Sequence, residues 1–392
     1  MTIHSIDVTG DIGVEHRVLR DRAAMEDVAA AWRALDARAA DPFSYFQSYD
    51  WCHRWIGTYG SESCQPEIHT LWHGARLVAV WPLMLTGGRV KRIEPLTSPH
   101  CQYANVLVDP GLGKAAVQKL LAALANGNHD LALIEGVPQG SALAALLEDT
   151  SPLSGRGNTA SMLDLSGFAS VDDYTNRLSK TQRRNRNRRR NALARHGELS
   201  FEVHFPGDAG FAQALPVFMS HKREWLRETV RRGHAIAYPE FDRFLHTLTG
   251  DRDTLSGACF FALKAGDRMV AGELGFLHHG HYYAYLGAFD WALRDVSPGK
   301  AQMDMTVCWL IEQGVKTYDL LANPTDYKDS WSNKTIGLET YAVPVTLVGK
   351  AYTNLWTAGL RPPLQRFYRS LPDKVRRLAQ FGQSVGLFLI IA

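Results

Sequence analysis

The chain contains two pairs of similar short segments in the same order and at nearly the same spacing. Gly74–Ala79 resembles Gly266–Ala271, 192 residues later, and Gly113–Ala115 resembles Gly299–Ala301, 186 residues later. In each half the second segment leads into an apolar helical pattern and then a strand that opens with Asp-Leu. We interpret this as a duplicated fold. Chance similarity between two good turn-and-strand sequences is the alternative.

Strand and helix patterns support the duplication. The first half contains a helix capped by Ser48, strand patterns over Glu67–Trp72, Arg76–Leu85 and Tyr103–Val108, a helix over Lys114–Ala125 and a strand over Leu131–Glu135. The second half contains a long basic helix over Val171–Ala194 closed by Gly197, helices over Phe211–Val230 and Glu240–Leu248, strands over Gly257–Leu263, Arg268–Leu277 and His281–Phe289, a helix over Pro298–Gly314 and a strand over Thr317–Leu321.

Three antiparallel strands, a helix and a parallel strand occur once in each half, which predicts a mixed α/β (α+β) sheet flanked by helices, twice. A cluster of Pro, Ser and Gly near residues 151–157 places the boundary. The predicted domains are therefore 1–157 and 158–350. A basic amphipathic helical segment, 351–392, follows them and is expected either to pack on the second domain or to lie on an anionic membrane surface.

Composition places the chain among ordinary globular proteins, with 45% hydrophobic and 21% charged residues. No apolar run reaches the roughly 18–20 residues that span a bilayer, and the first residues lack the apolar core of a secretory signal. Five scattered cysteines without a CxxC pair argue against a disulfide framework and for a reducing compartment. We therefore expect a cytoplasmic protein.

Charge is concentrated in one segment. Nine Lys and Arg residues and no acid lie between Arg177 and Arg195, although the net charge of the whole chain is only +3. Three interpretations stay open: contact with RNA, contact with a phosphorylated acceptor such as a sugar nucleotide, or a solvated, acid-paired face. Arg184 and Arg188 are the candidate acceptor contacts. No aromatic residue interrupts the run, which weakens the RNA interpretation.

The segment Ser297-Pro298-Gly299-Lys300 predicts a helix start with Ser297 as N-cap and Pro298 in the first turn. Helix starts present free N–H groups and a positive dipole end, which favour phosphate. Gly299 leaves room for a ligand, and Lys300 or Arg294 supplies countercharge. An ordinary capped helix is the alternative interpretation.

This segment resembles the acyl-CoA loop Q/R-x-x-G-x-G/A of GNAT acyltransferases, with Arg294 and Gly299 at its first and last positions and Ser297 in place of the first glycine. The wider pattern resembles the CelD-like acetyltransferases of cellulose biosynthesis, which are related to the FemABX transferases with their tandem GNAT folds. The resemblance rests on Phe46, Ser48, Trp51 and Trp55, on the Lys180–Arg190 helix with Gly197, and on Ser297–Lys300, Tyr318–Asn323 and Tyr327–Trp331.

The resemblance implies acyl transfer from acetyl-CoA or another short acyl-CoA to a small or sugar-linked acceptor, in exopolysaccharide or cellulose production. It implies that two parallel strands, Tyr282–Gly287 and Tyr318–Leu321, splay to hold the donor. Leu286 and Asn323 join the loop residues as donor contacts. Tyr327 would protonate the leaving thiolate, and Lys328 would meet an anionic acceptor or only a neighbouring carboxylate.

Further candidates come from the residues themselves. Glu273 lies in an apolar strand, where an unpaired carboxylate is costly, so it is either a catalytic base or the partner of a buried Arg or Lys. Asp319 is either a base or the residue that orients Lys328. Tyr283 and Tyr285 alternate onto one sheet face, where they would line an acceptor pocket or belong to the core.

We expect no metal. His278, His279 and His281 straddle a predicted turn without an acid or cysteine at ligand spacing. Two rival functions remain: a Fem-like transferase that takes an aminoacyl group from tRNA through the basic helix, and a non-catalytic subunit of polysaccharide assembly.

Overall fold

The computed structural model describes residues 13–61, 64–112, 114–153, 157–229, 236, 238–322 and 326–355. Two compact units divide the chain. The second unit is Thr159–Ile336, and the first contains the residues before it together with those from Gly337 onward. The predicted second domain ran to residue 350. The compact unit ends earlier, because the chain from Leu338 pairs with a strand of the first unit.

The first unit contains two sheets. Its strands are β1 (Val14–Leu19), β2 (Cys64–Pro66), β3 (Ile68–His73), β4 (Arg76–Trp81), β5 (Leu83–Thr86), β6 (Arg92–Pro95), β7 (Leu107–Val108), β8 (Leu131–Pro138) and β16 (Lys334–Pro344). Its helices are α1 (Arg22–Asp27), α2 (Ala29–Ala39), α3 (Tyr49–Tyr59), α4 (Lys114–Ala125), α5 (Ala142–Leu146) and α12 (Leu347–Ala351). One sheet has the order β1-β3-β4-β7, and the other contains β16-β8-β6-β5-β2.

Local signals explain the start of α3 and a break between two strands. Ser48 caps α3, since its side chain accepts a hydrogen bond from the N–H of Trp51. The single strand predicted over Arg76–Leu85 is two strands, because Pro82 separates β4 from β5 and cannot donate a ladder hydrogen bond.

The second unit is one mixed sheet with helices. Its strands are β9 (Asn158–Asp164), β10 (Leu199–His204), β11 (Gly250–Asp251), β12 (Ser256–Ala265), β13 (Arg268–His278), β14 (His281–Phe289) and β15 (Thr317–Ala322). Its helices are α6 (Val171–Arg177), α7 (Lys180–Ala194), α8 (Ala209–Glu228), α9 (Pro239–Thr247), α10 (Pro298–Glu312) and α11 (Asp326–Asp329). The strand order is β10-β12-β13-β14-β15-β9, in which β14 and β15 are parallel.

The core of the second unit lies between α10 and one face of this sheet. Phe261, Tyr282 and Tyr318 on the strands pack with Met303 and Val307 of the helix. Burying each side chain of this size stabilises the fold by about 1.5–3 kcal/mol. The start of α10 lies beside the end of β14, where a Cβ on Gly299 would lie 3.6 Å from Phe289 Cδ1.

The basic helix is interrupted. We predicted one helix over Val171–Ala194, but α6 ends at Arg177 and α7 begins at Lys180. Leu178 is extended, and Ser179 forms a capping box with Gln182: each side chain accepts a hydrogen bond from the other residue's backbone N–H. The capping box starts a new helix.

The repeated segments occupy corresponding places in the two units. Gly74 lies in the turn between β3 and β4, and Gly266 lies in the turn between β12 and β13, each with φ of 59°. In both units a helix then leads to a strand that pairs in parallel: α4 to β8 beside β6, and α10 to β15 beside β14. The predicted α/β fold with flanking helices is confirmed.

None of the helices in the described ranges is both long and apolar enough to cross a membrane. The predicted segment 351–392 lies outside the described residues from 356 onward, so its proposed packing or membrane contact stays a prediction.

Candidate active site

β14 and β15 pair only at their beginnings. Three pairs join them, from His281–Thr317 to Tyr283–Asp319, whereas β14 continues to Phe289. Beyond Tyr283, no residue of β14 pairs with β15 within the described part of the chain. The two strands therefore diverge, as predicted, and leave a gap at the edge of β14.

A bulge in β14 lies directly beside this divergence. Between the pairs Leu274–Leu286 and Phe276–Tyr283, β13 has one residue and β14 has two. The extra residue increases local twist and bends the strand. Alternate N–H groups of a strand point to its two sides, so some N–H groups of β14 beyond its last pair with β15 face the gap.

The start of α10 differs from the predicted cap. Ser297 occupies the predicted N-cap position, but it has φ of 55° and ψ of 57° and its side chain makes no capping hydrogen bond. Pro298 does occupy the first turn. Ser297 thus takes the left-handed conformation that glycine adopts most easily, at the position where the GNAT pattern has its first glycine.

Gly299 is not required by packing. A Cβ at this position would lie 3.6 Å from Phe289 Cδ1, an ordinary van der Waals contact. Arg294 is exposed. Its guanidinium donates a hydrogen bond at 3.2 Å to the carbonyl of Trp291 in the same short helical segment. Leu286 is buried in β14. Asn323 lies outside the described residues.

Glu273 is buried in a hydrogen-bond network of neutral groups. It accepts from the hydroxyls of Tyr282 and Tyr318 at 3.0 and 2.9 Å, and Gln302 also bonds to it. The alternative that Glu273 pairs with a buried Arg or Lys is therefore wrong. Burial raises the pKa of Glu273 to about 7, although the three hydrogen bonds act in the opposite direction. Gly275 leaves the space that the Tyr282 hydroxyl occupies.

Asp319 forms a second buried polar cluster. Its carboxylate lies 2.9 Å from His281 Nε2 and accepts a hydrogen bond from the N–H of Leu321 at 2.7 Å. Lys328 donates to the carbonyls of Leu321 and Ala322. Burial lowers the pKa of Lys328 to about 8, against the attraction of Asp319. The pairing of His281 with Asp319 is not predicted from the sequence.

The predicted tyrosines have different surroundings. Tyr327 lies on α11 with 43% of its surface exposed. Tyr283 is buried opposite Phe276, and the ring of Tyr285 lies 5.0 Å from the ring of Phe276. Both tyrosines are thus beside Phe276, as the prediction of a shared face requires.

A pocket of about 400 Å³ lies between α7 and the first turns of α10. Arg186, Arg189 and Arg190 line it together with Lys300. The predicted acceptor contacts Arg184 and Arg188 are exposed and outside this pocket, so the structure does not bring them together with Lys300. Helical periodicity separates these two sets of arginines, a signal that was present in the sequence.

Comparison with known proteins identifies the class. Residues 180–329 match the model of a family described as acetyltransferase (GNAT) domain. This segment begins with α7 and contains the bulge, the gap and α11. Over this segment the chain is similar to GNAT acetyltransferase domains, and the prediction of an acyltransferase enzyme is confirmed at this level.

Solved structures show the same fold at low identity. FemX is 12% identical with a TM-score of 0.58, and the match covers 82% of this chain and 98% of FemX. A conserved protein of unknown function from Bacteroides thetaiotaomicron VPI-5482 is 14% identical with a TM-score of 0.52, covering 83% and 100%. The C-terminal domain of a putative lysylphosphatidylglycerol synthetase from Agrobacterium fabrum is 11% identical with a TM-score of 0.52, covering 86% and 98%. No curated protein sequence matches the chain.

Proposed function

We propose that the protein transfers an acyl group, acetyl in the first instance, from acyl-CoA to an amine or hydroxyl of a small or sugar-linked acceptor. The divergence of β14 and β15 beside the start of α10 is the observation that carries this proposal. We further propose the CelD-like branch and a role in cellulose or exopolysaccharide production, on the sequence resemblance. The cytoplasm is the proposed compartment, in keeping with five free cysteines.

The donor would lie in the gap with its thioester against β14. Backbone N–H groups that face the gap would stabilise the oxyanion of the tetrahedral intermediate. The diphosphate would meet the N–H of Gly299 and the ammonium of Lys300, where the helix dipole favours negative charge. Because packing leaves a side of Gly299 open, a ligand can approach the backbone there.

Two proton transfers complete the reaction. A base removes a proton from the acceptor as its nitrogen or oxygen bonds to the carbonyl carbon, and the leaving thiolate takes a proton when the C–S bond breaks. Glu273 suits the base, since its pKa of about 7 matches neutral conditions. Asp319, held by His281, is the second candidate. Tyr327 is the proposed acid.

Release of free thiol from acetyl-CoA, with amino sugars and sugar nucleotides as acceptors, tests this function. We expect Tyr327→Phe to reduce turnover at least tenfold, because it removes the proton donor. Tyr238→Phe is the matched control, since Tyr238 is similarly exposed (50% against 43%) on another helix end. If calorimetry detects no binding of acetyl-CoA, the proposed function is wrong.

An aminoacyl-tRNA-dependent reaction is a second candidate, favoured by the outer face of α7. Arg184 and Arg188 lie four residues apart, are exposed and have no acid partner among the described residues. Like charges at this spacing are unfavourable unless an anion neutralises them. Co-purifying RNA, and an affinity for it that falls steeply with salt, would support this candidate over acetyl-CoA.

A further inference from the structure

The pocket beside α7 has a volume of about 400 Å³, within the range of small-molecule sites. The N-terminal turns of α10 form one wall and the inward face of α7 forms another. Phe168 and Trp331 add aromatic surface. Everything that lines it belongs to the second unit.

Its lining is strongly cationic. Arg177, Arg186, Arg189, Arg190 and Lys300 line it, and Asp304 is the single acid among the lining residues. Each cation would normally require a counterion when it is removed from water. The pocket as it stands contains more positive charge than the protein neutralises.

Two of these cations are already committed to the protein. Arg186 forms an ion pair with Asp304 at 2.6 Å and donates to Thr175 and Cys308. Arg177 pairs with Asp173 on the same helix. These ion pairs stabilise the wall of the pocket.

The other cations are available to a ligand. Arg189 and Lys300 have no hydrogen-bonded acid among the described residues. Arg190 reaches Asp304 at 3.2 Å, yet its Nε is buried and has no acceptor. The side chain of Arg190 as a whole is still 36% exposed, so other atoms of its guanidinium can contact a ligand in the pocket.

We propose that this pocket binds the phosphate groups of a phosphorylated small molecule of nucleotide size, with Arg189, Arg190 and Lys300 on the phosphates and Trp331 beside the organic part. Guanidinium groups match phosphate through paired, charge-assisted hydrogen bonds. The ligand is either the nucleotide end of the donor or a separate nucleotide-linked acceptor. Because Lys300 also meets the diphosphate in the proposed function, the donor alternative rests on that function, whereas the acceptor alternative goes beyond it.

Calorimetry with inorganic pyrophosphate, CoA, dephospho-CoA and uridine diphosphate N-acetylglucosamine tests the proposal on the full chain. We expect Arg189→Gln to weaken at least one of these ligands fivefold or more. Arg195→Gln is the matched control, because Arg195 ends the same helix, is exposed and does not line the pocket. It should change each affinity less than twofold.

The four ligands distinguish the two possible sources of the phosphate, the donor and the acceptor. If Arg189→Gln weakens CoA but not dephospho-CoA, the pocket holds the 3′-phosphate of the donor. If it weakens only the sugar nucleotide, the pocket holds the acceptor. Equal affinities of wild type and Arg189→Gln for all four ligands overturn the proposal, as does equal weakening by the control. Binding of pyrophosphate without thiol release would leave this site standing while the transferase proposal fails.

Discussion

At the scale of single residues, Glu273 shows how burial changes chemistry. Its carboxyl lies under α10 with two tyrosine hydroxyls and Gln302, and no positive charge belongs to this network. Burial therefore favours the protonated form, and the pKa rises to about 7. A carboxyl in this state can take up a proton near neutral pH, which is the property a general base requires.

The same shift predicts how stability depends on pH. Because the folded pKa of Glu273 lies above the unfolded value, its protonated form stabilises the fold at low pH, and that stability is lost as pH rises through about 7. A rise from 4.5 to about 7 corresponds to roughly 3 kcal/mol. Glu273→Gln removes this titration and still offers an acceptor to one tyrosine. Its stability relative to wild type should thus increase by about that amount between pH 4.5 and pH 8.

Urea unfolding of both proteins at the two pH values measures the difference. Glu312→Gln, at the exposed end of α10, is the control and should leave the pH profile of wild type unchanged. A constant difference between Glu273→Gln and wild type would show that folding does not raise the pKa of Glu273, and would contradict the prediction.

At the scale of elements, the junction between α6 and α7 determines which arginines enter the pocket. The helix restarts at Ser179, which sets the rotation of α7 from its first turn. From there Gln182, Arg186 and Arg189 point to one side. A single continuous helix in place of α6 and α7 would point these side chains in a different direction.

We expect Ser179→Ala to destabilise the protein by about 1 kcal/mol, because it removes one of the two reciprocal hydrogen bonds of the capping box. Thr181→Ala is the control: Thr181 is exposed in the same turn and does not cap the helix, and alanine is the better helix former. Urea denaturation measures the stability of both variants. If Ser179→Ala is as stable as Thr181→Ala, tertiary packing rather than the capping box determines where α7 starts.

At the scale of the whole molecule, the repeated glycines predict equal effects in the two units. Gly74 and Gly266 both have φ of 59°, and a Cβ at either would meet no atom within 4 Å. The cost of Gly74→Ala or Gly266→Ala is therefore backbone strain alone, about 1 kcal/mol each.

Hydrogen exchange measured by mass spectrometry follows each unit separately. Each substitution should lower protection in its own unit by a similar amount. Gly87→Ala and Gly167→Ala are the controls, since neither glycine has the left-handed conformation and neither is crowded. They should be neutral or slightly stabilising. Unequal effects of the two alanines would show that the two turns are not equivalent.

Local patterns were sufficient to predict most elements of this chain. Hairpins at Gly74 and Gly266, the capped start of α3 and the proline at the start of α10 all depend on residues within one turn of each other. The α/β fold follows from their order, because strand–helix–strand segments build parallel neighbours. The splayed strands were predicted through a family resemblance rather than from spacing.

The chemistry of the site depends on contacts that no local pattern encodes. Glu273 and Tyr318 are 45 residues apart, and His281 and Asp319 are 38 apart, so strand register alone decides that they meet. A shift of one residue would turn each side chain to the other face. Residue types and order along the chain were enough for the architecture, whereas partners and protonation states follow from burial and register, which exist only once the strands have paired.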